Sequence, residues 1–169
     1  EIIVLCPKAW VAHTQDLIGK YLPSGKKISV IPGGATRNGT LENAIEFIEN
    51  NYETDEKTVI VTHDAVRPFL THRIIEENVE AALKYGACDT VIPATDTIVE
   101  SENGKMISSI PDRSKMYQGQ TPQSFRLKEL ERVLSSLSDD EKAILTDACK
   151  IFSIKNREVI MTEAAPMHT

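Results

Sequence analysis

Thr58-Val-Ile-Val-Thr-His63-Asp64-Ala-Val-Arg67-Pro-Phe69 joins a short apolar run to a His-Asp pair and an Arg-Pro turn. Val59, Ile60 and Val61 are β-branched, and three apolar residues in a row predict a strand covered on both faces, as in a parallel sheet. Such sheets bind ligands just beyond the carboxyl ends of their strands. Asp64 and Arg67 fall there, so an acid and a base stand at the expected mouth of a site. On these residues alone two readings are open: a surface salt bridge on a strand-to-helix turn, or an anchor for a ligand or metal ion.

Before this stretch, Ile2 to Cys6 reads as a buried strand closed by Pro7, and Trp10 to Tyr21 as a short helix with a weak apolar pattern. Pro23-Ser-Gly25 is a turn and Ile28 to Ile31 the next strand. Leu41, Ala44, Ile45 and Ile48 then recur at helical spacing. After it comes a helix from about Thr71 to Tyr85, with Ile75, Val79, Ala82 and Leu83 on one face and Gly86 as its stop. Strands and helices alternate, which is the rhythm of a doubly wound α/β fold with helices on both faces of a mostly parallel sheet.

From Asp89 the rhythm changes. Thr90 to Thr95 reads as a strand in which Pro93 implies an edge or an irregularity. Thr97–Glu100 and Met106–Ile110 flank Asn103-Gly104, a strong hairpin signal. That hairpin predicts a projecting β-arm at about residues 96–118 of a single domain spanning 1–169, and an arm with an apolar face suits a dimer partner. Thr121-Pro122-Gln123 reads as a rigid turn. Leu127, Leu130, Leu134 and Leu137 mark an amphipathic helix. Ser138 with Glu141 fits a capping box opening another, which carries Ala143, Ile144 and Ala148 and contains Thr146-Asp147. Glu158 to Met161 is the predicted last strand.

A formal charge of −6 argues against a general nucleic-acid or membrane-surface binder. No apolar run approaches the ~18 residues of a membrane span. Cys6, Cys88 and Cys149 lack metal-ligand spacing and read as reduced, intracellular thiols. The four histidines show no ligand spacing either. The chain opens at once with strand character and without Met, which reads as part of a longer protein.

Gly33-Gly34-Ala35-Thr36-Arg37-Asn38-Gly39-Thr40 lies between a strand and a helix. Glycines let a backbone approach a ligand, and Asn38 or Thr40 could cap a helix whose N-terminus attracts anions. An ordinary glycine turn before a capped helix is the plainer alternative, and neither common glycine-rich phosphate pattern is matched. Asp64 is a natural Mg²⁺ ligand, because hard cations take carboxylate and phosphate oxygens. The hydroxyls of Thr95 and Thr97, and Arg113 just past the hairpin, suit a phosphate monoester.

Taken in order, Gly33 to Thr40, HDAVRPF from His63, Asp96-Thr97, Asp112-Arg113, QTPQ from Gln120 and Thr146-Asp147 resemble the polyol-phosphate cytidylyltransferases. That family includes the 2-C-methyl-D-erythritol 4-phosphate and ribitol-5-phosphate enzymes. The resemblance runs from about Ile2 to Met161, and Tyr117–Phe125, Leu145–Phe152 and LTHRIIEEN from Leu70 look closer to the ribitol branch. It implies a cytoplasmic, Rossmann-like enzyme that makes CDP-ribitol for teichoic acid and is a homodimer through its arm, with neither nucleic acid nor membrane as a partner. The substrates would be CTP and a polyol phosphate, and the cofactor Mg²⁺. Residue by residue, it implies that Gly34, Ala35, Thr36, Arg37, Asn38, Gly39 and Thr40 contact cytidine, with Thr40 reading the base edge. Asp64 would be the catalytic and metal-binding carboxylate, with Ala65 beside the nucleotide. Arg67, Thr97, Arg113, Thr121 and Thr146 would serve the acceptor, Thr97 and Arg113 from the partner's arm. The acceptor of the other branch, and a non-catalytic nucleotide-binding domain, are the competing expectations.

The sequence also departs from the family. Its opening glycine-rich loop, transition-state Arg and Lys are unmatched before Ile2, and its closing Lys and second metal-binding Asp are unmatched after Met161. A chain without those pieces is expected to be inactive by itself.

Overall fold

The computed structural model describes residues 1–22, 26–138, 140–141 and 147–164. Strands and helices alternate through the first half: β1 (Ile2–Cys6), α1 (Val11–Tyr21), β2 (Ile28–Pro32), α2 (Arg37–Asn51), β3 (Val59–Thr62), α3 (His72–Tyr85) and β4 (Ala87–Pro93). The second half holds β5 (Tyr117–Arg126), α4 (Leu127–Ser135), α5 (Ala148–Ile154) and β6 (Ile160–Glu163). β1 and β2 form a parallel pair. The other four strands form a second sheet in the order β3-β5-β4-β6. In it β5 runs against both neighbours while β4 and β6 are parallel, so three of the four strands share one direction.

The α/β class is as predicted, but the pairing of β3 is not. Among the described residues β3 pairs with β5 alone, antiparallel, and Val61 is 36% exposed. Three β-branched residues in a row favour an extended backbone on an edge as well as in the middle of a sheet.

Successive residues of β5 face opposite ways, and this separates the two layers. Phe125 stacks on Phe152 of α5, ring centroids 5.3 Å apart, in a core shared with Leu127, Leu130 and Leu134 of α4 and Ile45 of α2. The predicted leucine face of α4 is therefore the buried one. Ser124 faces α3 instead and donates to Asn78 Oδ1 (3.2 Å), while Asn78 Nδ2 donates to Thr90 (2.9 Å) and Thr162 (3.1 Å). Ile74, Asn78 and Ala82 are the residues α3 buries, whereas Leu83, predicted on that face, is exposed. A hydrophobic reading misses the true face because its centre is an asparagine, fully satisfied by three strands. Gly86 ends α3 at φ +96°, as predicted.

Two predictions around the sheet are corrected. β4 starts at Ala87, earlier than expected, and is a central strand; Pro93 is its last residue. Gln120 to Gln123 is not a turn but the buried middle of β5. Proline is tolerated there because the ladder is broken: β4 advances from Asp89 to Val91 while β5 advances from Gly119 to Gln123. Gln120, Thr121 and Pro122 thus form a bulge, with a cis bond before Pro122.

The predicted hairpin is present only as a single bridge, Glu100 opposite Ser109, with an Asx turn in which Asn103 Oδ1 accepts from the Lys105 and Met106 amides. The capping box forms reciprocally, Ser138 N to Glu141 and Glu141 N to Ser138 Oγ. Ala143, Ile144 and Thr146 lie outside the described residues. Ala148 belongs to a different helix from the one expected, capped by Asp147, whose Oδ1 accepts from the Lys150 amide (2.9 Å). The last strand begins two residues later than predicted.

Candidate active site

The glycine segment is tied into a closed loop by two threonines. Thr36, neither Asn38 nor Thr40, caps α2, its Oγ1 accepting from the Gly39 amide at 3.0 Å. Thr40 Oγ1 donates to the Thr36 carbonyl (2.9 Å) and accepts from the Gly34 amide (3.0 Å). With its proton committed inside the loop, Thr40 can offer a base edge only acceptor capacity. Gly34 lies so close to the first turn of α2 that a Cβ there would meet the Gly39 carbonyl carbon at 2.4 Å and the Thr40 nitrogen at 2.7 Å. Both are backbone atoms, so glycine is required for close approach and not for a left-handed φ.

Asp64 lies two residues beyond β3, at the carboxyl end predicted for it. Arg37, the first residue of α2, reaches it at 3.2 Å. Both side chains are partly exposed, so the pair contributes at most ~1 kcal/mol and a phosphate or cation can displace it. The Asp64 amide donates to Thr121 Oγ1 (3.1 Å), which sits on the β5 bulge. Behind Asp64 the Arg67 amide donates to the Asp64 carbonyl (3.0 Å), and His63 Nε2 meets the Arg67 carbonyl at 2.9 Å. The Arg67 Nε is buried without a partner among the described residues.

The structure therefore joins Gly34, Thr36, Arg37, Gly39, Thr40, Asp64 and Thr121 through one chain of contacts, with Ala35, Asn38, Ala65 and Arg67 in the same two loops. It does not bring Thr97 or Arg113 to Asp64. Both are exposed on the arm, and an Arg113 Nη1 donates to the Thr95 carbonyl (2.9 Å). Thr146 is outside the described residues.

Sequence reasoning passed over Asp89. It sits within β4 and accepts from Gln123 Nε2 at 3.0 Å. Burial pushes its carboxyl up to about 6; the Gln123 bond opposes this and the charge of Asp147 adds to it. An acid inside a mostly apolar strand, Ala87-Cys-Asp-Thr-Val-Ile92, is the available signal. Burial also raises the thiols of Cys88 and Cys149, which are free and inert at neutral pH.

Among the described residues no group of three or more His, Cys, Asp or Glu side chains is placed to hold a metal. Asp64 is a partly exposed carboxylate outside any such group. That donor set fits Mg²⁺, which binds one or two carboxylates and takes its other oxygens from water and substrate phosphates. No helix among the described residues is long and apolar enough to cross a membrane.

Solved structures of the same shape exist. The 4-diphosphocytidyl-2C-methyl-D-erythritol synthase of Anaerococcus prevotii superposes with a TM-score of 0.80 at 24% identity, covering 100% of this chain and 71% of that one. The 2-C-methyl-D-erythritol 4-phosphate cytidylyltransferase of Francisella tularensis gives 0.80 at 23% identity, with 100% and 73% covered. That of Thermus thermophilus gives 0.74 at 23%, with 100% and 74% covered. At such identities the likeness is one of fold. Residues 1–162 also match the family model described as IspD, 2-C-methyl-D-erythritol 4-phosphate cytidylyltransferase, and the chain belongs to that family of nucleotidyltransferases.

Proposed function

We propose that this protein transfers the cytidylyl group of CTP to a polyol phosphate, with Asp64 as the carboxylate that meets the triphosphate. The observation that carries the reading is the convergence of the α2 N-terminus, through Arg37, and the β5 bulge, through Thr121, on Asp64.

The acceptor needs no strong base. A phosphate monoester has a second pKa near ~6 and arrives at neutral pH as a dianion. One of its oxygens bonds to the α-phosphorus of CTP as the bond to the β-phosphate oxygen breaks, and pyrophosphate leaves. The residues therefore have to align two anions and offset their charge. Gly34, packed on the first turn of α2, fixes the loop backbone that the nucleotide would meet. Asp64, with its amide held by Thr121, would hold Mg²⁺, which supplies charge neutralisation and alignment of the phosphates. Arg37 supplies positive charge beside it, and Arg67 would serve the acceptor's phosphate. Arg113 and Thr97 would meet the acceptor's phosphate from the arm of a second protomer; the exposure of Met106, Ile107 and Ile110 (60–70%) supports a covered arm.

For the acceptor, the family model and the solved neighbours weigh towards 2-C-methyl-D-erythritol 4-phosphate. Ribitol 5-phosphate rests on the sequence of Tyr117–Phe125, Leu145–Phe152 and LTHRIIEEN from Leu70 alone. Pyrophosphate release from CTP with each acceptor in parallel distinguishes them. In the full-length enzyme Asp64→Asn is expected to reduce that release at least about 100-fold, as for loss of an electrostatic group at a reacting phosphate. Near-parental turnover would remove Asp64 from the mechanism. Arg113→Ala is expected to raise the KM for the acceptor far more than that for CTP, and equal changes would sink its assignment.

A further inference from the structure

Gln123 is the residue of β5 that borders the bulge on its C-terminal side. It is paired on both sides, opposite Thr62 in β3 and Asp89 in β4. The Thr62 hydroxyl donates to its carbonyl (3.0 Å), and its own amide donates to Asp89 (3.0 Å). An ionised carboxylate is acceptor-only, so it dictates which way the Gln123 amide points. Gln123 is 3% exposed, and its Oε1 has no partner among the described residues. Among the described residues the Asp89 bond is thus the single tie on its side chain. Immediately before it, Gln120 to Pro122 have left the β4 ladder, and Pro122 has no amide to donate. Yet Thr121, in the middle of that interruption, holds the Asp64 backbone. Bulges beside active sites re-aim side chains, and the side chain this one presents to Asp64 is Thr121.

We propose that Asp89 and Gln123 are a positioning pair, whose hydrogen bond fixes the end of the bulge and so holds Thr121 against the Asp64 amide. Its consequence for catalysis rests on the reading of Asp64 given above.

The test is a polarity swap. Gln123→Glu replaces the donor with a second acceptor and sets two carboxylates against each other. Adding Asp89→Asn restores one donor and one acceptor in reversed order, with side-chain volume and net charge unchanged. The first readout is hydrogen exchange at the Asp64 amide in the protein without substrate or metal. Its protection is expected to fall about tenfold in Gln123→Glu and to return to within about twofold of parental in the double variant. The Gly86 amide, which donates to Ala82 at the end of α3, is the control and is expected to change less than the Asp64 amide. A purely structural role would lower both together. If Gln123→Glu does not fold, Gln123→Met removes the donor without adding charge and is expected to give the same selective loss.

The second readout is the Mg²⁺ concentration giving half-maximal pyrophosphate release. It is expected to rise several-fold in Gln123→Glu, more than kcat falls, and to recover with the swap. Unchanged protection in Gln123→Glu and Gln123→Met, or a parentally stable swap that restores nothing, overturns the pair. Protection that follows the pair while no variant, parent included, turns over CTP overturns the cytidylyl reading and leaves the pair standing.

Discussion

Two glycine turns in this chain look alike in sequence and behave differently in space. Gly34 and Gly104 each follow a β-prone run and precede another element. Around Gly34 the loop is locked by Thr36 and Thr40, pressed on the first turn of α2 and joined by Arg37 to the end of β3. Around Gly104 a Cβ would meet nothing within 4 Å, although φ is +68°. The arm it belongs to holds one bridge between its sides. The first glycine is required by neighbours and the second by its own dihedral angle. A turn becomes part of a site when distant segments close on it, and local turn chemistry alone leaves it a loop.

The largest expected effect breaks the locked turn. Gly34→Ala places a Cβ against two backbone atoms that cannot rotate away, and a loss of about 2–3 kcal/mol in urea unfolding is expected. An unchanged midpoint would mean that loop and helix are not in contact. The next concerns Asp89, the half-buried acid of β4. Asp89 has a folded-state value of about 6 against an ordinary 3.8, so between those values the folded protein binds the proton more tightly than the unfolded chain. Stability therefore falls as pH rises through the window from about 4 to about 6, and the full penalty is present above it. Asp89→Asn removes the penalty while keeping an acceptor for Gln123. After allowance for its partial exposure, a gain of about 1–2 kcal/mol at pH 7.5 is expected, vanishing by pH 4. A gain of equal size at both pH values would rule out desolvation as its cause.

Smaller still, Thr36→Ala removes the α2 cap and is expected to cost about 1 kcal/mol by the same unfolding assay. Thr36→Ser should recover most of it, since the hydroxyl is what the Gly39 amide uses. The smallest effect belongs to the open turn. Gly104→Ala strains a positive φ by about 1 kcal/mol locally, but the arm can yield at its one bridge. The global unfolding midpoint is expected to move by less than the Thr36→Ala shift. A larger shift would show that the arm is packed against something.

Much of the fold was legible because local signals agreed with their surroundings. The leucines of α4, the Gly86 stop, the Ser138–Glu141 box and the strand before Asp64 each carry their cause within a few residues. The misreadings share one origin. The face of α3 was misplaced because its centre is Asn78, whose burial is stable only when Thr90, Ser124 and Thr162 arrive from three strands. QTPQ reads as a turn because proline forbids a regular ladder, and only the register of β4 reveals a bulge that accommodates it. Asp89 went unnoticed because a lone acid in a strand carries no motif.

The opening stretch shows the same division. By itself the sequence determined that an apolar strand ends at Asp64, that a glycine segment precedes a helix, and that both belong to a cytidylyltransferase order of motifs. Those are properties of short windows and of their succession. Tertiary structure alone decided that Arg37 and Thr121, separated by 84 positions, meet at the same carboxylate-bearing turn, and that among the described residues β3 pairs with β5 alone. It also set Gln123 beside Asp89 behind them. Pairing register and burial are set by the whole chain's packing, and a hydrogen bond between distant residues leaves no periodicity in either segment.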